Sequence, residues 1–481
     1  MDFAYHSEEC VRVSVSSNPY LALLTRPIPF ERLNTRRNRV ALGRGLTLWL
    51  AFLWIIPYNH DPWRLTGLVI AGWMLILSIL LLEGRKLLAG PGLWFCLVLT
   101  GWFVLATPAD DVERARCFAQ AVAAGLAVTC LPRAVAAAIP RRLLLSGSIA
   151  LAISFIDGTL NQGLGFLQPW RPIRYMEMEN TLFRWTGVFQ HPNIFALAIV
   201  VTVACAFACR WPADRRGPLL TLMLGIVAGW CMFMTYSRTG QVMLALTLLG
   251  GLVLVWPRRS RRRPLAPLLA LCLGVLVSFA LGAALHWDKL ARRYVAATTD
   301  MQPTHDWRLF GANDDPTLAP DQYARAIDPD AVDGPIAGTG RQAIAISRVD
   351  MARDALNLWQ RRFWTGWGLG GYFRHGLSSY HHAHNLPLEI AVSGGLIGLL
   401  LFFLPIALAL LAGNSPLIRG FILVTLLSGF IDCYFVYRWP AVMLALFVGL
   451  ALRGISPRLL RAGSRLKRAS VRTDPPLHIP D

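Results

Sequence analysis

The stretch HHAHNLPLEIAVSGGLIGLLLFF, residues 381–403, joins three histidines and an amide to the start of a long oily run. From Asn385 onward some 25 residues pass with one charge, Glu389. A helix needs about 20 apolar residues to cross ~30 Å of hydrocarbon, so this run predicts a membrane span with a titratable cluster at its rim. The rest of the chain has the same character. At 55% hydrophobic residues over 481 positions, with positive mean hydropathy, it carries more apolar surface than a soluble core of this size requires.

Runs of this kind recur at 41–57, 65–82, 91–106, 115–131, 143–160, 187–209, 218–235, 239–256, 264–285, 385–411, 417–433 and 438–453. The expected fold class is therefore all-α: a polytopic integral membrane protein of about twelve transmembrane helices. One large hydrophilic segment, 286–384, interrupts them and is expected to contain helices of its own. This divides the chain into an N-terminal tail (1–40), nine spans (41–285), the large loop (286–384), three spans (385–453) and a basic C-terminal tail (454–481). Residues 1–40 lack the short apolar core and small-residue site of a cleavable signal, so the first span is expected to stay as a signal anchor.

Charge sets the expected orientation, because Lys and Arg near span ends stay preferentially in the cytoplasm. With the N-terminus inside, the inner segments and span ends hold 28 of the 47 Lys and Arg but 8 of the 28 Asp and Glu. Arg258, Arg259, Arg261, Arg262 and Arg263 crowd one short connection. The formal charge of +19 is thus an orientation signal and predicts no nucleic-acid partner. Both termini are expected in the cytoplasm and the large loop outside it. Cys96, Cys130, Cys205, Cys209, Cys231 and Cys272 fall in or at the ends of spans, where Cys acts as a small hydrophobe, and no structural disulfide is expected.

The span centres carry almost no charge. A transporter or proton pump keeps ionisable groups near the midplane, whereas here the polar candidates gather at the outer rim in four patches. The first is His191-Pro192-Asn193 at the start of the sixth span, which reads equally as an ordinary helix start or as substrate-facing. The second is TYSRTGQ, Thr235 to Gln241, a short connection whose Arg238 is either an interfacial anchor or a fixed guanidinium. The third is RQAIAISRVDMARDALNLWQRRFWTGWGLGGYF, residues 341–373, where Val349, Ala352, Leu356, Trp359 and Phe363 recur at helical spacing. It predicts an amphipathic helix ending in a Gly-rich turn at Gly366, Gly368, Gly370 and Gly371, with Arg348 beside its apolar stripe. The fourth is the opening stretch, where His384 or Asn385 starts a helix. A helix N-terminus attracts anions, and imidazole titrates near neutrality and serves as a base. His381, His382 and His384 lack the carboxylate or Cys partners that strengthen a metal reading, so no metal or other cofactor is expected.

YSRTGQ, the SRVDMARDAL and GWGLGGYF block, and HAHNLPLEIAVSGGLIGLLLF, in this order around a large outer loop, resemble the bacterial O-antigen ligase and polymerase superfamily; GVFQHPN fits as well. The resemblance covers most of 185–410, while an acidic, Pro-rich insert near 300–340 and the richness of the histidine run lie outside it. It implies transfer of a glycan from an undecaprenyl-diphosphate carrier to an acceptor saccharide hydroxyl, on lipid A-core or a growing repeat-unit chain. The implied site faces the periplasm of the inner membrane and works without a metal. Position by position, Arg238 and Arg348 match diphosphate-binding arginines and His384 the catalytic histidine. Asn385, His191, Asn193, His381 and His382 are supporting. A single displacement with inversion is the economical mechanism. The rivals are a transporter or flippase for lipid-linked sugars, against which the charge-free centres and asymmetric loop argue, and a non-enzymatic export scaffold.

Overall fold

A computed structural model describes residues 35–55, 62–88, 91–109, 112–160, 176–178, 182–185, 187, 192–209, 214–255, 265–287, 291, 348–376, 383–412, 415–429 and 438–453. Its elements are α1 (Arg36–Ile55), α2 (Pro62–Leu82), α3 (Gly84–Leu88), α4 (Pro91–Ala106), α5 (Val112–Cys130) and α6 (Arg133–Leu160). After them come β1 (Met176–Met178), β2 (Leu182–Arg184), α7 (Pro192–Ala208), α8 (Arg216–Met234), α9 (Arg238–Val255) and α10 (Leu265–Leu285). The chain continues with α11 (Arg348–Arg361), α12 (Gly371–His375), α13 (Leu386–Ala412), α14 (Pro416–Gly429) and α15 (Arg438–Leu452). A helix stands on each of the segments read as spans. By length and composition, four among the described residues suffice to cross a membrane: Arg133–Thr159, Arg216–Met234, Leu265–Leu285 and Leu386–Leu411. The remaining apolar helices are shorter.

Apolar patterning explains the arrangement. Helix α7 is buried on all sides, as a helix apolar all round must be, and packs against α6, α8, α9 and α14. Around it, Met74, Leu105, Leu249, Leu276, Leu400 and Leu411 point outward and are exposed, the surface that a hydrocarbon solvent favours. Lipid gives no hydrophobic drive between helices, so close contact depends on small residues. Helices α8 and α10 meet at Gly225, Gly229 and Gly274, where an added Cβ would strike the facing backbone. At the α5 and α15 crossing, a Cβ on Gly125 would lie 2.8 Å from the Ala445 carbonyl oxygen. Polar side chains pin other pairs: Trp49 Nε1 donates to the Leu68 carbonyl (2.8 Å), Gln120 Nε2 to that of Val69 (3.2 Å), and Arg39 pairs with Glu83 at 3.0 Å.

Two findings depart from the expected pattern. The all-α expectation misses one antiparallel hairpin, in which Met176 faces Arg184 and Met178 faces Leu182. Strands of three residues are too short to display the alternation that announces a sheet. The larger departure is in α13, expected as a continuous run over 385–411. Gly395 has φ 64° and ψ −165°, and the helix is broken there. The break is filled by the Gly-rich turn. Trp367 N donates to the Val392 carbonyl (2.8 Å) and Gly368 N to that of Ser393 (2.9 Å), while Leu396 N donates to the Phe363 carbonyl (2.7 Å). Trp102 Nε1 takes the Gly394 carbonyl at 2.8 Å. Every one of these groups would otherwise lie unpaired in an apolar setting, at several kcal/mol each.

The helix expected over the third patch is present as α11, but its buried face is rotated by about one residue from the expected stripe. Met351, Asp354, Ala355 and Leu358 are buried, whereas Leu356 and Phe363 are exposed; Trp359 packs at the edge. A count of apolar residues passes over Asp354 and cannot separate a side chain facing protein from one facing lipid.

Gly395 supplies a test. Its conformation lies in a region open essentially to glycine alone, with strain of about 1–3 kcal/mol for other residues, and a Cβ there would collide with the Trp364 carbonyl. Gly395→Ala is therefore expected to lower the thermal unfolding midpoint of the detergent-solubilised protein. Gly250→Ala, in α9 with open space around it, is expected to leave the midpoint unchanged or raise it. Equal midpoints for the two variants would mean that α13 is not broken.

Candidate active site

The polar patches lie at one end of the bundle, and the packing shows which. The starts of α1 and α6 and the ends of α2 and α5 meet around Arg39, Glu83, Leu131 and Pro132. The opposite end therefore holds the finish of α6, the start of α5 and the finish of α4. There Gly187 lies against Ser154 of α6 and Phe195 of α7, Trp185 N donates to the Met234 carbonyl at the end of α8 (2.9 Å), and Gly240 of α9 touches Ala196. The Gly-rich turn packs on the end of α4, with Leu369 N donating to Thr107 Oγ1 (2.9 Å). Gly429 at the end of α14 touches Leu386 at the start of α13.

At the start of α13, Asn385 is the N-cap. Its Oδ1 accepts from Leu388 N (3.1 Å) and its carbonyl from Glu389 N (2.9 Å). Glu389 is buried in the first turn, and its Oε2 accepts from Ala383 N at 2.9 Å. Both residues flanking His384 are thus tied into the first helical turn. His384 itself has φ 49°, in the left-handed region, and is half-buried. The carboxylate at Glu389 was not among the residues expected from sequence. Its signal was present in Asn-Leu-Pro-Leu-Glu, an amide cap with a carboxylate in the first turn.

Arg238 is the first residue of α9 and not part of a free-standing turn, a correction to the expected connection. Ser237 caps that helix, its Oγ accepting from Gly240 N (3.2 Å), and Ser237 N donates to Thr235 Oγ1 (3.1 Å). Tyr236, at φ 46°, is buried against Phe233, and burial pushes its phenol up to about 12. Arg238 follows, half-exposed, on a cap stitched by three consecutive side chains and backbones. Pro192 opens α7, and Asn193 is buried in its first turn and not at its cap.

Helix α11 is seated on α13 by its buried face and by the turn that follows. Trp367 Nε1 donates to the Leu358 carbonyl (2.8 Å), the Arg362 guanidinium lies 4.1 Å from the Trp367 ring centre, and the His375 ring centre lies 4.4 Å from that of Trp367. Arg374 donates through Nη1 to the Leu369 carbonyl (3.0 Å) and through Nη2 to that of Trp367 (2.9 Å), so this cation braces the turn. Arg348 is the first residue of α11; its side chain, like all of His191, His381 and His382, lies outside the described residues.

The arrangement brings an imidazole at a helix N-terminus, a capped arginine, and a docked loop helix to one rim. Fixed cations there suit a leaving anion, and imidazole suits a hydroxyl that must lose a proton. No curated protein matches the chain. The family model described as O-Antigen ligase matches residues 219–403, from α8 through the broken part of α13, which takes in Arg238, α11, the Gly-rich turn, His384 and Glu389. Residues 219–403 are thus similar to the O-antigen ligase family, and the match supports the resemblance to the O-antigen ligase and polymerase superfamily.

Proposed function

We propose that the protein is a metal-independent, inverting membrane glycosyltransferase that moves a glycan from an undecaprenyl-diphosphate carrier to a saccharide hydroxyl. The observation that carries this reading is the pinned His384: an imidazole fixed between two residues bonded into the first turn of α13, within the segment that matches the ligase family. The acceptor is lipid A-core for a ligase or a growing repeat-unit chain for a polymerase. In this proposal both termini are cytoplasmic, the twelve apolar helices span the inner membrane, and the 286–384 loop and the site face the periplasm.

The step is a single displacement. The acceptor oxygen attacks the anomeric carbon, its bond forms as the bond to the diphosphate oxygen breaks, and the electron pair leaves on the diphosphate. His384 takes the hydroxyl proton. Arg238 and Arg348 neutralise the charge that grows on the leaving group, and a diphosphate leaves well enough without a dedicated acid. Asn385 and Glu389 hold the base; Asn193, His191, His381 and His382 are assigned supporting roles. The function as a whole is tested by reconstituting the purified protein with undecaprenyl-diphosphate-linked glycan and acceptor. Deleting the gene then separates the two activities on a polysaccharide gel: loss of all lipid A-linked chains marks a ligase, and single repeats left on the acceptor mark a polymerase.

Substitutions at three residues refine the assignment. His384→Ala is expected to lose ~10²–10⁴-fold in turnover, the usual worth of a general base, with donor binding largely kept; EDTA is expected to leave the wild type unaffected, and loss with EDTA reversed by a divalent ion would make the histidines ligands instead. Arg238→Lys is expected to be nearly as damaging as Arg238→Ala, because an ammonium does not reproduce the planar fork. Near-normal turnover of the Lys form would reduce Arg238 to a point charge. Glu389→Gln keeps an oxygen for Ala383 N and is expected to retain most activity, whereas Glu389→Ala, which frees that amide, is expected to lower kcat with little change in KM. Equal loss in both would show that the negative charge, and not the acceptor atom, matters.

A further inference from the structure

One side of α13 carries an exposed apolar column, Leu400, Leu404, Leu408 and Leu411, spaced to lie on a single helix face. The column stops at the joint. Above Leu400, Leu396 and Ile397 are half-buried, and every residue from Ile390 to Gly395 is buried. The end of α11 meets the helix there, with Leu396 N donating to the Phe363 carbonyl (2.7 Å) and Ile397 N to that of Trp364 (3.4 Å). The side chains of these two residues turn outward, Phe363 38% and Trp364 61% exposed. With Trp359 they form a run of three rings, the centres 5.1 and 5.2 Å apart. Helix α4 ends at the same level: Gly368 abuts the Ala106 carbonyl, and Leu105 is exposed beside it.

Helix length says what meets this aromatic end. From Gly395 to Ala412 α13 rises about 26 Å, close to the ~30 Å of a hydrocarbon layer. At its far end Arg419 Nη1 donates to the Leu410 carbonyl (3.3 Å), which puts a cation at the other boundary. The near boundary therefore falls within about one turn of the joint. Tryptophan favours that level, where its apolar ring and polar N–H face different solvents. Arg361 and Arg362 beside it are exposed, and the other exposed described residues of α11, Arg353, Leu356, Asn357 and Gln360, include no carboxylate. A cationic, aromatic tip continuous with a lipid-facing column matches a phosphate layer over hydrocarbon.

We propose that Trp359, Phe363 and Trp364 form a foot on which the loop helix rests at the boundary of the leaflet nearest the rim, with Arg361 and Arg362 among its phospholipid phosphates. The inference rests on α13 spanning the membrane and not on glycan transfer. Trp367 bridges Leu358 and Val392 at the joint, and the same packed cluster reaches Met351 and Ala383, so α11 climbs from the foot alongside the first turns of α13. Leu386 lies about 13 Å along the helix from Gly395. The foot thus fixes the height at which α11 and the cap of α13 stand outside the hydrocarbon.

The test places the full chain in vesicles of phosphatidylethanolamine and phosphatidylglycerol, with a fluorescent amino acid excited outside the tryptophan band. Trp364→acridonylalanine is expected to be quenched more by phospholipids brominated near the headgroup than by those brominated near the chain ends. Leu404→acridonylalanine is expected to show the reverse, and Arg353→acridonylalanine, two turns up α11, to be quenched by neither. Deep quenching at 364 would sink the foot into hydrocarbon, and none there, with 404 still quenched, would put it in water or against protein; either overturns the inference. An unquenched 404 would remove the span and the inference with it. Trp364→p-benzoylphenylalanine is expected to cross-link to phospholipid on irradiation, and a cross-linked dimer in its place would make the patch a contact between copies. In detergent, Arg361→Gln is expected to weaken the apparent affinity for stabilising phosphatidylglycerol about fivefold, the worth of one cation at an anionic surface, and Arg353→Gln to leave it unchanged. Equal effects of the two would remove Arg361 from the phosphate layer.

Discussion

The break in α13 governs how the loop meets the membrane helices. A regular helix satisfies its own backbone, and hydrocarbon offers no substitute partner. At Gly394–Gly395 that rule is met between segments, as the carbonyls of Val392 and Ser393 receive Trp367 and Gly368, and Leu396 N reaches Phe363. Gly366 and Gly395 have to be glycine for this: a Cβ on Gly366 would sit 2.5 Å from Gly395 N. The turn between α11 and α12 is therefore built into the wall of the bundle, with Thr107 and Trp102 of α4 closing the other side.

From this joint the rest of the rim takes its geometry. Helix α11 is carried in over the start of α13, α12 is braced by Arg374, and the bonds of Asn385 and Glu389 fix the first turn of α13. Arg238 reaches the same end by an unrelated route, a three-residue link between α8 and α9 in which Thr235 Oγ1 accepts from Ser237 N and Ser237 Oγ from Gly240 N. The site thus combines two separately fixed parts, one from the N-terminal bundle and one from the loop.

The helices were legible in the sequence because lipid demands long uncharged runs, and hydropathy measures that directly. The break was not. Gly394 and Gly395 interrupt no apolar run, and glycines in a span read as packing until the segment that fills the gap is known. The Gly-rich turn was legible as a turn, but not its partner some 25 residues later. The face of α11 was misread because Asp354 is buried and Leu356 is not. At the rim the imidazole and the arginine positions were visible as residue types, whereas Glu389 was hidden by its place inside an oily stretch. Its role depends on a bond to Ala383 N, a contact that residue type alone does not reveal.

The joint also bears on how the protein is made. A segment such as 386–412 enters the bilayer while the chain is being inserted, and alone its cheapest state is an unbroken helix with every amide paired internally. The kink can open only when residues 363–368 arrive to take over those bonds. By this reasoning α13 enters as a straight rod and acquires its final shape late, once residues 363–368 have folded against it. The completed rim is then a mark of finished biogenesis: a chain in which that segment failed to dock would hold the span yet lack the joint that seats α11.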